Sequence, residues 1–271
     1  MEKILAILVV YKELIANTST YTSLLQSLTH SGLKLDLFIY DNSPEEFIQV
    51  VDLDPCFNVE YIRNTSNPGV SKAYNEGAAY ASSKFKEWIL ILDQDTSFPI
   101  TSIEQYLKSK NRYPQMKLFA PTLEASFGIL SPGQSFLKHS SPSRAKLVTG
   151  LHMFTRKSLL NSGLLINISF FNEIGGYNEN IPLDFSDTYF IEKVSKVINQ
   201  FVLIDLICKH SLSSEISDYK TVLTRFKYYC IGAREYAKTS NWFLVYFWSF
   251  LRTVKLTIKF KRIDFLQVFL T

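Results

Sequence analysis

Two carboxylates separated by one residue, Asp93-Gln94-Asp95, stand directly after the apolar run Ile89-Leu90-Ile91-Leu92. At the end of a strand such a pair repels itself unless a cation balances it. Hard divalent cations take carboxylate oxygens and bridge to substrate phosphates. A metal held there would stabilise the charge that grows on a departing nucleoside diphosphate. A solvated turn, with Asp95 capping a helix that starts near Pro99, explains the same two residues, and the pair alone does not decide between the readings.

Three more apolar runs end in polar, ligand-capable residues: Tyr11-Lys12, Asp41-Asn42-Ser43-Pro44, and Asn64 to Gly69. In open parallel sheets ligands bind outside the carboxyl ends of the strands, so four such ends on one edge make a site. Asp41 can accept a hydrogen bond from a nucleobase or ribose, or it can close an Asx-turn. The segment Asn67-Pro68-Gly69-Val70 leads into a helix start, whose N–H groups suit a diphosphate. An ordinary Pro-Gly turn has the same composition.

The elements that position these groups follow from hydrophobic spacing. Ile4–Val10 is a continuous apolar run, as expected of a strand covered on both faces. Asn17 or Thr18 can cap a helix with Tyr21, Leu24, Leu25 and Leu28 at helical spacing, ended by Gly32. Leu35–Tyr40, Val59–Ile62 and Trp88–Leu92 read as further strands. Val70, Ala73, Tyr74, Gly77, Ala78 and Ala81 form the stripe of a second helix, with Gly77 allowing close packing on the sheet. Strand–helix–strand alternation argues for a mainly parallel α/β sheet. In the second half, Leu118–Pro121 and Leu147–Thr155 read as strands and Ser131–Ser143 as a loop. A helix after Asp184 places Phe190, Val194, Val197 and Ile198 on one face.

Bulk properties exclude several classes. The 271 residues are 46% hydrophobic and 20% charged, a globular composition with a mild formal charge of +4. That charge is not gathered in the dense basic face a nucleic-acid binder needs. Cys56, Cys208 and Cys230 are isolated and suggest neither a metal pair nor a disulfide framework, which favours a reducing, cytoplasmic setting. The opening apolar run is too short for a signal peptide and has no cleavage site. No stretch reaches the roughly 20 apolar residues of a membrane span.

The order Val10-Tyr11, Asp41-Asn42-Ser43, Asn67-x-Gly69 with Asn75-x-Gly77, and Leu92-Asp93-Gln94-Asp95-Thr96 resembles the nucleotide-binding half of family 2 glycosyltransferases with the GT-A fold. Downstream, Ser162-Gly163-Leu164-Leu165-Ile166, Phe171-Asn172-Glu173-Ile174-Gly175-Gly176-Tyr177-Asn178-Glu179 and Asp184-Phe185-Ser186-Asp187-Thr188-Tyr189-Phe190 resemble the acceptor half of the bacterial rhamnosyltransferase-like branch. The likeness runs from about Lys3 to Ser211.

It implies a Rossmann-like α/β/α sandwich over 1–240, with a nucleotide-binding half (1–97) and an acceptor half (98–240). By the same resemblance Tyr11, Asp41, Asn67, Gly69, Asn75 and Asp93 hold the nucleotide-sugar. Asp95 and His210, the latter in Lys209-His210-Ser211-Leu212, bind a divalent Mg or Mn. Asp187 matches the general base of an inverting transfer, although Ser186 stands where a Glu is common, and Asp184 remains the alternative. A place in the first turn of a helix would favour the ionised form of Asp187, which is still a competent base.

The segment 241–271 is the expected helical, amphipathic tail. Trp242-Phe243-Leu244-Val245-Tyr246-Phe247-Trp248 is followed by Arg252, Lys255, Lys259, Lys261 and Arg262. Such a helix can lie in a membrane interface, pack over the core, or pair in a homodimer. The expectation is a single-sugar transferase taking a nucleoside-diphosphate sugar, with rhamnose a candidate, to a saccharide or lipid-linked acceptor in surface polysaccharide synthesis. Alternatives are a membrane-surface scaffold of the same fold without catalysis, or a nucleotidyltransferase. The latter lacks a Gly-rich triphosphate loop at Tyr11-Lys12-Glu13.

Overall fold

The computed structural model describes residues 3–136, 139–211 and 218–271. Its centre is four parallel strands, β1 (Ile4–Val10), β2 (Leu35–Asp41), β3 (Phe57–Arg63) and β4 (Trp88–Asp93), in the spatial order β3-β2-β1-β4. Every residue of β1 is buried, and alternate side chains serve opposite faces. Leu5, Ile7 and Val9 join one apolar cluster, while Ile4, Ala6, Leu8 and Val10 join the other. Helices cover both faces. On the first cluster lie α2 (Val70–Ser83), α4 (Ile168–Glu173) and α5 (Ser186–Ser195); on the second lie α1 (Ser19–Ser31) and α3 (Ser102–Arg112). This is the α/β/α sandwich expected from the alternating pattern.

Local chemistry sets the helix ends. Thr18, not Asn17, caps α1, its side chain accepting from Tyr21 N–H at 3.2 Å, and Gly32 ends the helix in the left-handed region at φ 66°. On α2, Gly77 lies so close to β1 that a Cβ there would stand 2.7 Å from Ile7 Cγ2. Residue 77 therefore fixes how deep α2 seats.

The second half extends the sheet with mixed directions. β11 (Leu165–Asn167) runs antiparallel between β4 and β6 (Leu118–Ala125). β12 (Gln200–His210) runs parallel to β6, and antiparallel to β5 (Thr96–Ser97) and β9 (Gly150–Met153).

Several expectations change here. Segment 131–143 is not a loop: β7 (Gly128–Phe136) and β8 (His139–Ser143) pair antiparallel beyond β6, and β10 (Lys157–Ser158) also pairs with β7; Leu137 and Lys138 lie outside the described residues. The β7–β8 register is irregular between Ile129 and Gln134, the stretch holding Pro132 and Gly133, which is how a sheet margin accommodates such residues. The strand expected over 147–155 is confined to β9. Val197 lies past the end of α5 and is exposed, and Ile191 takes its place in the core.

At the C-terminal side, α6 (Tyr219–Ala237), α7 (Trp242–Phe260) and α8 (Asp264–Leu270) share a third apolar cluster with Ile181, against which Phe185 and Tyr189 also pack. Among the described residues no helix is long and apolar enough to cross a membrane.

Candidate active site

Strand register brings the polar strand ends to one edge. Val10 pairs with Asp41, Val9 with Asp93, and Asp41 with Arg63, so β1 to β4 finish nearly flush. Tyr11, just past β1, is exposed, and its N–H donates to Gln94 Oε1 at 2.6 Å. Gln94 thus ties the β1 end to the acidic turn. Asp41 is fully buried, with Oδ1 accepting from Ser43 N–H (2.8 Å) and Oδ2 from Tyr61 O–H (2.7 Å). Asp41 closes the Asx-turn, and both of its carboxylate oxygens have partners within the protein.

The turn after β4 is held on all sides. Asp93 N–H donates to Ser162 Oγ at 3.2 Å, Thr96 N–H to Thr20 Oγ1 at 3.1 Å, and Tyr74 O–H to Asp93 Oδ1. Asp95 does not cap a helix. Residues 96–97 form β5 against β12, and α3 begins only at Ser102, so the solvated-turn account fails on position. The β5–β12 pairing sets His210 opposite Thr96, with Nδ1 2.8 Å from Thr96 Oγ1 and 3.5 Å from Asp95 Oδ1. Leu212, next along that segment, lies outside the described residues.

Asp95 Oδ1 is buried and has no hydrogen-bond partner. Burial first, and the neighbouring Asp93 charge second, push the Asp95 carboxyl up to about 6, with His210 pulling the other way. An orphaned carboxylate oxygen beside a second carboxylate and an imidazole is a donor set that suits a divalent cation. Among the described residues no three His, Cys, Asp or Glu side chains converge into a complete cage. A metal here would need part of its coordination from a ligand or water, as Mg²⁺ commonly takes it from phosphates.

Asp187 lies in the first turn of α5, half-buried, its Oδ1 accepting from Thr188 N–H at 2.6 Å. Burial is the main force raising its carboxyl to about 6; Asp184 and Asp93 add to this and the Thr188 bond opposes it. The first turn of a helix favours the ionised form, and desolvation works against it. Asp184 instead faces α6, with Oδ2 3.7 Å from Arg225 Nε.

Two tyrosines join the carboxylates. Tyr74 binds Asp93, and its ring lies 5.0 Å from that of Tyr177. Tyr177 stacks on Phe190 of α5 at 4.1 Å, and its hydroxyl, raised well above the usual range by burial and then by the Asp93 charge, donates to Asn161 Oδ1 at 2.9 Å. Asn161 Nδ2 donates to Ser186 Oγ (3.1 Å), at the start of α5. Tyr74 counted in the sequence only as helix stripe, and Tyr177 only as part of a turn. Asn161 and Thr20 gave no signal.

Asn67, Gly69 and Asn75 lie where the two halves meet. Asn67 has φ 49° and Gly69 φ 97°, and a Cβ on Gly69 would lie 2.1 Å from the Pro182 carbonyl oxygen. Val70 N–H donates to that same oxygen at 2.7 Å, so the first N–H of α2, expected to face a diphosphate, already has a partner. Asn75 Oδ1 accepts from Tyr177 N–H (2.8 Å) and its Nδ2 donates to Tyr177 O (3.0 Å). These contacts set the segment 177–182 on α2.

The acid pair at the end of β4 and Asp187 at the start of α5 thus share one region, joined through Tyr74 and Tyr177. Residues 6–116 match the family model described as glycosyl transferase family 2. No curated protein matches the chain. Among solved structures, TarS of S. aureus aligns with TM-score 0.57 and 13% identity, over 86% of this chain and 39% of that one. Its 1–349 form with UDP-GlcNAc aligns with TM-score 0.56 and 13% identity over 85% and 66%. GalNAc-T7 with UDP, GalNAc and Mn²⁺ aligns with TM-score 0.55 and 12% identity over 77% and 43%. This chain spans less than two thirds of the length of each, and at these identities the likeness is one of fold. The family match covers residues 6–116, less than half of the chain, and the solved structures agree with it in fold.

Proposed function

We propose that the chain transfers one sugar, with inversion, from a nucleoside-diphosphate donor to a hydroxyl of a saccharide or lipid-linked acceptor. The observation that carries this is the pairing of Asp93 and Asp95 with Asp187 through the Tyr74–Tyr177 contact. The fold relatives crystallised with UDP, or with UDP and Mn²⁺, support a nucleotide donor and a divalent metal. Asp95 and His210 would hold that metal, which when bound supplies positive charge to the diphosphate leaving group. Tyr11 and Asp41 would stand on the nucleotide side, Asn67, Gly69 and Asn75 would fix that wall, and Asp93, oriented by Tyr74, would face the ribose and diphosphate.

Asp187 is the base. Its Oδ1 is held by Thr188, which leaves Oδ2 to take the acceptor proton. A carboxyl raised to about 6 remains ionised at neutral pH and accepts a proton more readily than an ordinary Asp. Asp184, drawn towards Arg225, has the geometry of a structural ion pair. The resemblance of the 162–190 segments to rhamnosyltransferase-like enzymes makes rhamnose a candidate donor sugar, in bacterial surface polysaccharide synthesis.

A donor screen reading released nucleoside diphosphate, with Mg²⁺ or Mn²⁺, tests the proposal. Transfer or donor hydrolysis is expected with at least one donor, lost in Asp187→Ala and Asp95→Ala with folding intact. Full activity in either variant refutes the assignment. Absence of nucleotide binding by calorimetry across uridine, thymidine and guanosine diphosphates refutes the donor site.

A further inference from the structure

The helix α7 divides its surface in an unusual way. Its inward face is small and largely polar: Val245, Ser249 and Thr253 are the buried positions, and Ser249 Oγ lies 3.2 Å from Tyr229 O–H of α6. Leu256 and Phe260 near its end pack against the third apolar cluster, but the large apolar side chains of its first half point away from the protein. Trp242 and Phe243 are 63% and 61% exposed, and Phe247, Phe250 and Leu251 are exposed with them. Positions 243, 247, 250, 251 and 258 recur at helical spacing, so they form one stripe along the helix. A helix that served only to cover the core would turn these residues inward.

Cations accompany the stripe. Arg252 is occupied, stacked 4.1 Å above the Tyr229 ring, and Arg262 pairs with Asp264 at 2.9 Å. Lys255, Lys259 and Lys261 are exposed, and among the described residues no carboxylate pairs with them. An aromatic stripe bordered by lysines matches the interface of a bilayer, with rings at the headgroup level and ammonium groups at anionic phosphates. A second copy of the chain would meet like charge at these lysines.

We infer that α7, with the turn leading to α8, docks on an anionic lipid surface without crossing it. The docking bundle is also joined to the candidate base. α6 presents Gly232 so closely to the loop before α5 that a Cβ there would lie 2.3 Å from Asp184 O, and Phe185 packs against Tyr229 and Tyr236. A docked bundle therefore holds the Asp184–Asp187 loop near the bilayer, where a lipid-linked acceptor would be; this consequence alone rests on the proposed glycosyl transfer.

The test is co-sedimentation of the full chain with vesicles of phosphatidylcholine alone or mixed with phosphatidylglycerol, with Trp242 emission followed in parallel. Binding to the anionic vesicles with a blue shift is expected, weakened by salt. Each surface cation contributes about fivefold, so Lys255→Gln/Lys259→Gln/Lys261→Gln lowers the partition constant by roughly a hundredfold. Phe243→Ser/Phe247→Ser abolishes the blue shift. Both variants alter exposed residues, and unchanged melting and nucleotide binding show that fold and donor site are intact. No binding to anionic vesicles, equal binding to neutral ones, or unaltered partition in both variants overturns the inference. So does a stable dimer that Phe243→Ser/Phe247→Ser converts to monomer, because the stripe would then be a subunit contact.

Discussion

Replacing Asp187 by Asn should stabilise the metal-free protein while removing its activity. Burial and two neighbouring carboxylates raise this carboxyl from 3.8 to about 6. A raised acid pKa means that the folded state resists ionisation, so folding is penalised above the folded pKa and the penalty vanishes below the unfolded one. At 1.36 kcal/mol per unit, the penalty above about pH 6 is of order 3 kcal/mol, falling to about half near pH 5 and to nothing below about 3.8. Asn keeps an oxygen for the Thr188 N–H and carries no charge for Asp184 and Asp93 to repel. The assay is denaturant unfolding of wild type and Asp187→Asn, with chelator present, at pH 8 and pH 5. The variant should gain up to about 3 kcal/mol at the higher pH and about half of that at the lower, with transfer reduced at least about 10²-fold. A loss of stability at pH 8, or the same gain at both pH values, would show that Asp187 is not held in the desolvated, acid-rich setting described above.

Tyr74→Phe removes the hydroxyl that orients Asp93; donor affinity measured by calorimetry should fall about tenfold, as for a hydrogen bond to a charged group, and an unchanged Kd refutes the positioning role. Gly69→Ala should cost about 2–4 kcal/mol in denaturant unfolding, because its φ of 97° and the 2.1 Å approach to Pro182 O act together, whereas Gly32→Ala, at φ 66° in open space, should cost only about 1 kcal/mol. Asp95→Ala should abolish the Mn²⁺-dependent part of nucleotide binding while leaving the fold intact, and His210→Ala should weaken it at least about tenfold; metal dependence surviving both changes places the metal elsewhere.

The first hundred residues were legible because their determinants are local. Buried parallel strands appear as apolar runs, Gly32 and Thr18 mark helix α1, and Asp93 could be placed to the residue because β4 is too apolar to continue past it. The hairpin at 128–143 was not legible, since Pro132, Gly133 and several serines hide a strand whose existence depends on β6 beside it. Nor was the Tyr74–Tyr177 contact. Helical spacing assigns Tyr74 to the buried stripe of α2, but where its hydroxyl arrives depends on how deeply α2 seats on β1, which Gly77 and Ile7 set across 70 residues of chain. The acidity of Asp187 has the same origin: its place at a helix start is local, whereas the burial and the Asp93 charge that raise its carboxyl come only with the fold.

The joint between the halves explains why so much of the signature loop serves structure. Asn75 and Gly69 give their polar and steric specificity to the segment 177–182, and Ser71 Oγ donates to Ile181 O in the same seam. A reacting carboxylate must keep its productive position to well within about an ångström, yet Asp187 and Asp93 come from chain segments 94 residues apart. Bonds from the first turns of α2 to the strip that leads into α5 fix that separation directly, and Tyr177, packed between Tyr74 and Phe190, fixes it again from below. Residues that touch no ligand can therefore belong to the motif as firmly as those that would: removing Asn75 displaces the base relative to the donor, even if every carboxylate remains in the chain.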